Sequence, residues 1–436
     1  MEGNRGIIAK NVFWAMLGKI VNMAGTLFVG ILVARYLGPE KYGLMNYVFS
    51  YVALFTIIAS FGLSNIEIRE LSRANEKKNE ILGTSFRLRL FFAGLAYLLI
   101  VVTLIVSKAN SFTTVMILVY ALSLFTGCYE IIRNYFTSIV LNEYIVKSEI
   151  ARTLIGSIIK IGLLYFKYPV EYFIIATLFD TVLVTSGYIL AYNKFEGRLA
   201  DWKYNSKYVP YLLKESFPLL LSGSAVVIYQ KIDQVMIGNM IDNTSVGYFA
   251  TAEKFLSLIL FLPTVLTQTV TPLVIRTKKN GTVEEYKKKQ KQMVSIVVWV
   301  AIILAAIVSI SSYWLISYTF GAQYLLAIPV LQIMAWKTVG MALSSSAGQI
   351  IILEGIQKWA VLKNLLGCAA CVILNYILLP VYGIIGSAWV AILTTLIAGW
   401  LGNILIPSYR GIFKLQVYSV FCGWKELKYF RSFIKK

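Results

Sequence analysis

Lys287-Lys288-Lys289-Gln290-Lys291-Gln292-Met293-Val294-Ser295-Ile296-Val297-Val298-Trp299-Val300-Ala301-Ile302-Ile303-Leu304-Ala305-Ala306-Ile307-Val308-Ser309 is a cluster of cations followed at once by an apolar run that continues to about residue 317. About 20 apolar residues suffice to carry a helix through the hydrocarbon of a bilayer. Only helices and closed barrels satisfy every backbone group there. This run is too long and too evenly apolar for an alternating barrel strand. It predicts a transmembrane helix whose entrance is fixed by lysines.

Similar windows recur along the chain. Spans are expected near 12–34, 43–63, 87–106, 113–136, 148–166 and 171–192, and after a polar stretch at 193–214 near 216–240, 246–273, 292–317, 326–353, 359–379 and 383–406. The composition agrees: of 436 residues 58% are hydrophobic and only 14% charged, against about 25% charged in soluble domains. The reading is an all-α polytopic membrane protein of about 12 transmembrane helices.

The net charge of +20 would point a soluble domain toward nucleic acid. Here topology explains it, and no nucleic-acid partner is expected. With the N-terminus inside, 31 of the 41 Lys and Arg residues fall in cytoplasmic segments, among them Arg69, Arg89, Lys147, Arg152, Arg276, Lys288, Lys363 and the basic residues beyond Pro407. The opposite side keeps Arg35, Lys41, Lys108 and Lys167. The positive-inside rule expects such a bias, with both termini cytoplasmic. The first span lacks the short apolar core and small-residue cleavage site of a signal peptide.

Six spans precede the polar stretch and six follow it, so the halves run the same way through the membrane. The expected organisation is an N-terminal lobe at 1–205, a C-terminal lobe at 206–408 and a basic cytoplasmic tail at 409–436. Parallel repeats of this kind place a substrate site at their interface.

Several charges fall inside the spans: Lys19, Arg133, Lys160, Lys231, Lys254 and Lys337, with Glu130, Asp180, Asp233 and Glu253. Each would cost roughly 2.5 to 3.5 kcal/mol facing lipid at mid-depth, so they are expected to face one another or a wet interior. Helical spacing groups Lys19, Asn22 and Thr26 on one face, and Ser123, Thr126, Glu130, Arg133, Asn134 and Thr137 on another. Lys231 and Asp233 stand about 200° apart around a helix and cannot both face one cavity. The bland readings are mutual neutralisation of Glu130 and Arg133, and snorkelling of Lys19 and Lys160 toward the interfaces. The cationic excess points to an anionic, phosphate-bearing substrate, with the six cations as its binding groups and the four carboxylates as coupling-ion or charge-pairing groups.

The sequence has no His, which removes His bases and His metal sites; no metal site is expected. Cys368 and Cys371 form a C-x-x-C within Gly367-Cys368-Ala369-Ala370-Cys371, read as close helix packing rather than redox chemistry. No Gly-rich nucleotide loop is present. A secondary transporter without a bound cofactor, either coupled to an ion such as H+ or Na+ or driven by the membrane potential, is therefore expected rather than an enzyme.

Four stretches carry a family likeness: Val33-Ala34-Arg35-Tyr36-Leu37-Gly38-Pro39-Glu40-Lys41-Tyr42-Gly43; Lys231-Ile232-Asp233-Gln234-Val235-Met236-Ile237-Gly238; Val246-Gly247-Tyr248-Phe249-Ala250-Thr251-Ala252-Glu253-Lys254, with Pro263 and Pro272 after it; and Asn375-Tyr376-Ile377-Leu378-Leu379-Pro380-Val381-Tyr382-Gly383-Ile384-Ile385-Gly386-Ser387-Ala388. In their order the chain resembles the O-antigen and capsule repeat-unit flippases of the multidrug/oligosaccharidyl-lipid/polysaccharide exporter superfamily. The resemblance implies a V-shaped pair of pseudo-symmetric six-helix lobes and alternating access. It implies a polyprenyl-diphosphate-linked oligosaccharide as substrate, the bacterial cytoplasmic membrane as location, and the polysaccharide polymerase and chain-length machinery as partners. Lys19 and Lys254 lie on helices that carry basic residues in related lipid II flippases, whereas span two lacks the interior cation those relatives have. The alternatives are an ion-coupled drug antiporter of the same superfamily, which would want an acidic cavity, and a lipid II-type flippase. A glycan polymerase or ligase would want a large outer loop, and every outer loop here is short.

Overall fold

A computed structural model describes residues 2–107 and 110–429. Lys108, Arg431, Lys435 and Lys436, counted in the charge pattern, lie outside the described residues. The described chain is helical, and it divides into two compact units, 1–227 and 228–436.

The first unit is built from α1 (Glu2–Ser60), α2 (Ser64–Arg73), α3 (Lys78–Ser107), α4 (Ser111–Ala121), α5 (Ser123–Thr126), α6 (Glu130–Ser138), α7 (Asn142–Tyr165), α8 (Val170–Phe195) and the start of α9 (Tyr208–Met240). Helix α1 is two spans in one: Gly38 takes φ 72° and ψ 170°, with Pro39 next to it. That left-handed φ suits glycine, and the proline lacks the N–H a continuing helix needs.

Paired contacts fix the direction of each pass. Asn22 meets Glu149 and Tyr36 meets the Tyr168 carbonyl, so the first half of α1 runs parallel to α7. Tyr51 donates to Thr103 and Phe61 stacks on Phe92, so the second half runs antiparallel to α3. Lys160 meets Asp180 and Tyr188 meets Glu149, so α7 and α8 are antiparallel. Thr126 meets Thr181 and Tyr135 meets Tyr192, so α5–α6 and α8 run together. Six alternating passes result.

The second unit continues α9 and adds α10 (Asn243–Ile259), α11 (Phe261–Asn280), α12 (Val283–Thr319), α13 (Ala327–Met334), α14 (Lys337–Glu354), α15 (Ala360–Leu396), α16 (Gly402–Leu405) and α17 (Arg410–Cys422). Helix α15 also breaks, at Gly383 with φ 56° and ψ −146°, after Pro380. Its halves then fold against each other, since a Cβ on Gly367 would meet Ala398 and one on Gly402 would meet Lys363. Asp233 beside Asn375 and Tyr229 beside Cys371 set α9 parallel to the first half of α15. Gly340 against Thr395 and Gly399 against Ser344 set α14 parallel to its second half. The order of parallel partners (first with fifth, fourth with sixth) is the same in each unit.

Nine stretches among the described residues are long and apolar enough to cross a membrane. Breaking two of them at Gly38 and Gly383 gives eleven. The twelfth pass is α7, whose 24 residues include Glu143, Lys147, Glu149, Arg152 and Lys160. Large apolar side chains such as Ile105, Val106, Ile158, Leu190 and Ile310 lie exposed on the helices, as lipid contact requires.

Three features differ from the sequence reading. The polar stretch at 193–214 is not the division between units. Asn205 donates to Glu80 and the Lys203 N–H to the Asn79 carbonyl, which fastens it to α3. The start of α9 then packs where a Cβ on Gly62 would meet the Leu220 nitrogen at 2.7 Å, and the boundary falls inside α9. The segment grouped as a basic tail contains α17, whose Ile412, Gln416 and Ser419 are buried. Gln416 donates to the Leu343 and Gly399 carbonyls and accepts from Asn403. Arg89, assigned to a cytoplasmic segment, is instead among the largest fully buried side chains of the molecule.

Candidate functional site

Helical spacing in α1 puts Lys19, Asn22, Met23 and Thr26 on one face, and that face lines a pocket of about 490 Å³ in the first unit. Arg133 and Thr137 line it from α6, and Glu149 lines it from α7. The charged lining carries two cations and one carboxylate.

Behind the pocket lies a chain of alternating charge. Arg89 from α3 donates from Nε and Nη2 to the two carboxylate oxygens of Glu67, each at 2.8 Å, and from Nη2 to Ser64 at 2.9 Å. Asn134 completes that carboxylate with a 2.6 Å bond. The Arg89 and Glu67 side chains are 2% and 0% exposed. Two fork-to-fork bonds plus two neutral partners are the arrangement that lets a buried ion pair survive desolvation.

Arg89 Nη1 also lies 3.5 Å from Glu130, and Glu130 lies 3.5 Å from Arg133. Arg133 Nε lies 3.5 Å from Glu149, and Glu149 accepts from Tyr188 at 3.1 Å and Asn22 at 3.4 Å. Arg152 Nη2 reaches Asn22 Oδ1 at 3.2 Å, and Thr153 donates to the same oxygen. Order decreases along the chain: tight bonds at Glu67, loose ones at Arg133, which is 48% exposed. Strong charge-assisted bonds measure about 2.7 to 2.9 Å. Arg133 is thus held in place by two carboxylates without being saturated by either.

The polar stripe expected in the fourth span is divided. A 3-10 turn at Gly127–Tyr129 interrupts the helix. Beyond it Asn134 turns inward to Glu67 while Arg133 and Thr137 face the pocket. Glu130 does pair with Arg133, but it is shared with Arg89. Lys160 does not join Lys19 and Arg133; it pairs with Asp180 across α7 and α8, with both side chains partly buried. Gly156 makes room there, since a Cβ would run into the Asp180 carboxylate.

In the second unit Asp233 and Lys231 point apart, as their spacing requires. Asp233 is 1% exposed, accepts from Asn375 at 2.7 Å and touches the thiol of Cys371 at 3.3 Å. Lys337, also buried, acts on it electrostatically. Lys231 lies 3.5 Å from Glu253, which also accepts from Gln234. Lys254 is half-buried on α10. Cys368 and Cys371 are both free thiols, and Cys371 serves as a close-packing residue against Asp233. Among the described residues no cluster of three His, Cys, Asp or Glu could hold a metal ion.

The sequence reading missed Glu67, Arg89, Glu149 and Arg152. Their only signal was position. Each lies at or near the edge of an apolar window on the side expected to be cytoplasmic; Arg89 and Arg152 were counted there as topological charges, and Glu67 and Glu149 were not singled out. The spacing Glu67, Glu70 and the pair Arg87, Arg89 look like solvated helix ends until the partner helices are known.

A family model described as "Polysaccharide biosynthesis protein" matches residues 8–278. No curated protein sequence matches significantly. Among solved structures, the lipid II flippase MurJ in an inward closed conformation is 18% identical with a TM-score of 0.68, over 95% of this chain and 92% of that one. An inward-facing multidrug resistance MATE family transporter of the MOP superfamily is 16% identical with a TM-score of 0.63, over 90% and 99%. The MATE multidrug transporter DinF-BH in complex with R6G is 16% identical with a TM-score of 0.62, over 94% and 96%. Identities this low speak for the fold, and the fold is the polytopic helical one of that superfamily.

Proposed function

The chain belongs to the polysaccharide biosynthesis protein family, and from that premise we propose that it flips a polyprenyl-diphosphate-linked oligosaccharide repeat unit across the bacterial cytoplasmic membrane. The movement runs from the cytoplasmic leaflet to the outer one by alternating access, ahead of the polymerase and chain-length machinery of surface polysaccharide synthesis. It is driven by H+ or Na+ without a bound cofactor.

The observation that carries this reading is Arg133. It stands half-exposed at a pocket of about 490 Å³ beside Lys19, with its guanidinium 3.5 Å from each of two carboxylates. A diphosphate offers a planar fork shorter and stronger contacts than those carboxylates give. The pocket is within the size range of small-ligand sites, which suits a diphosphate with its first sugars and leaves a lipid tail in the bilayer. Asn22, Thr26, Thr137 and Asn142 supply neutral hydrogen-bonding groups for sugar hydroxyls. A drug-cation antiporter would be served by the opposite balance of charge. The buried carboxylate Asp233, on which the buried Lys337 acts electrostatically, is in this reading the group whose neutralisation responds to the coupling ion.

The test is replacement in a strain whose surface polysaccharide depends on this protein. Arg133→Ala should abolish surface polymer at unchanged protein level, and Arg133→Lys should restore little, because an ammonium cannot replace the fork. Normal polymer in Arg133→Ala cells would refute the assignment.

A further inference from the structure

The hairpin joining α11 to α12 in the second unit holds another cationic concavity. A cleft of about 510 Å³ is lined by Arg276 at the end of α11, by Lys288, Lys289 and Gln292 near the start of α12, and by Tyr429 from the C-terminal segment. It lies just beyond the apolar window 292–317, where the headgroup region of a bilayer begins.

The backbone here is built tightly. Gly281 forms the turn, and a Cβ on it would meet the Glu285 carboxylate at 2.8 Å and the Thr277 carbonyl at 2.9 Å. Thr282 and Glu285 form a reciprocal cap on α12: the Thr282 N–H donates to Glu285 at 3.0 Å and the Glu285 N–H to Thr282 at 3.2 Å. The one carboxylate in the lining is therefore committed to the helix end.

Neighbouring cations are committed as well. Lys278 lies 3.5 Å from Glu354, and Lys291 lies 4.0 Å from Glu426 and 3.5 Å over the Tyr418 ring. Arg276 and Lys288 differ: both are exposed, and among the described residues neither has a carboxylate partner. An independent observation comes from the wall of the cleft. Gln292 is buried, and its Oε1 has no hydrogen-bond partner. Buried amide oxygens are nearly always satisfied, so this one marks a place for a ligand group or an ordered water. The amide can present either its oxygen or its NH2 to the cleft.

We propose that this cleft binds a phosphate-ester anion, gripped by Arg276 and Lys288, with Gln292 meeting a polar substituent of the ligand. The chemistry fits an anionic phospholipid headgroup at the membrane surface and equally a soluble phosphate. The site neither uses the Arg133 pocket nor depends on the flippase reading.

The test uses purified full-length protein in phosphatidylcholine nanodiscs, with thermal unfolding as the readout. One arm adds inorganic phosphate, a second adds sodium chloride at the same ionic strength, and a third replaces part of the lipid by phosphatidylglycerol. Stabilisation beyond the chloride arm is expected with phosphate, with phosphatidylglycerol, or with both, and the pattern identifies the source of the anion. In Arg276→Gln/Lys288→Gln protein the apparent affinity should fall about tenfold or more, the loss of at least one charge-assisted contact, while Lys287→Gln keeps it. Native mass spectrometry of retained phosphatidylglycerol gives a second reading that does not depend on how stable the double variant is. Equal stabilisation by chloride, or an unchanged response in the double variant, overturns the proposal.

Discussion

Glu67→Gln removes one charge from the most buried ion pair in the protein and changes almost no volume. In the native arrangement Glu67 accepts three bonds, two from Arg89 at 2.8 Å and one from Asn134 at 2.6 Å, while the Ser64 hydroxyl accepts a further one from Arg89 at 2.9 Å. The glutamine keeps one acceptor and points an NH2 at donors that belong to Arg89 or Asn134. Each charge-assisted bond is worth roughly 1.5 to 3 kcal/mol. Orphaning one partner of a buried pair costs about 3 to 5 kcal/mol. Glu130 offsets part of this, because it already lies 3.5 Å from Arg89 Nη1. The expected loss is therefore about 3 kcal/mol. The measurement is equilibrium unfolding in mixed micelles titrated with SDS, followed by a double-mutant cycle with Arg89→Met. Replacing both members by groups without charge should recover much of the loss, giving a coupling energy of about 2 kcal/mol or more. A Glu67→Gln protein within about 0.5 kcal/mol of the parent, the range of an ordinary surface change, would refute the claim that this pair is desolvated and holds α2, α3 and α6 together.

Glu149→Gln removes the carboxylate 3.5 Å from Arg133 Nε. At the effective dielectric of a partly exposed site it should tighten diphosphate binding about tenfold while slowing transport through delayed release; equilibrium binding of a soluble diphosphate analogue, compared with surface-polymer output, checks both, and unchanged binding would separate Arg133 from the anion. Gly383→Ala places a side chain at φ 56°, ψ −146°, a region costing about 1 to 3 kcal/mol for any other residue; SDS titration should show that loss, and its absence would mean that the reversal of α15 does not depend on this glycine.

The passes and their directions were legible because hydrocarbon enforces them. A window such as 292–317 has few alternatives once water is excluded, and Gly38-Pro39 and Pro380 with Gly383 mark the reversals in plain residues. Boundaries were less legible. Nothing in the composition of 193–214 says that Asn205 and Lys203 dock on α3, and nothing in the basic sequence after Pro407 says that Gln416 is buried against α14 and the second half of α15. Those facts depend on partners far away in the chain, which periodicity does not register.

Charge inside the membrane was legible in kind and misleading in number. Lys19 and Arg133 were found because their spans are apolar on every other side, and they do share a pocket. Arg89 and Arg152 were hidden by the charge rule from which the topology was read, which treats a cation near a span end as solvated, and Glu67 and Glu149 went unweighed beside them. Counting them changes the electrostatic argument. Along Glu67, Arg89, Glu130, Arg133, Glu149 and Arg152 the signs alternate, so the chain as a whole is neutral and can be buried without the cost that six isolated charges would carry. The positive balance of the pocket then rests on Lys19, and the reactivity of Arg133 rests on the looseness of its two 3.5 Å contacts. An arriving anion meets a cation already positioned by rigid neighbours and gains the difference between a loose pair and a tight one. It does not have to bring a charge into the membrane alone, because the carboxylates it displaces from Arg133 keep partners of their own: Arg89 for Glu130, Tyr188 and Asn22 for Glu149.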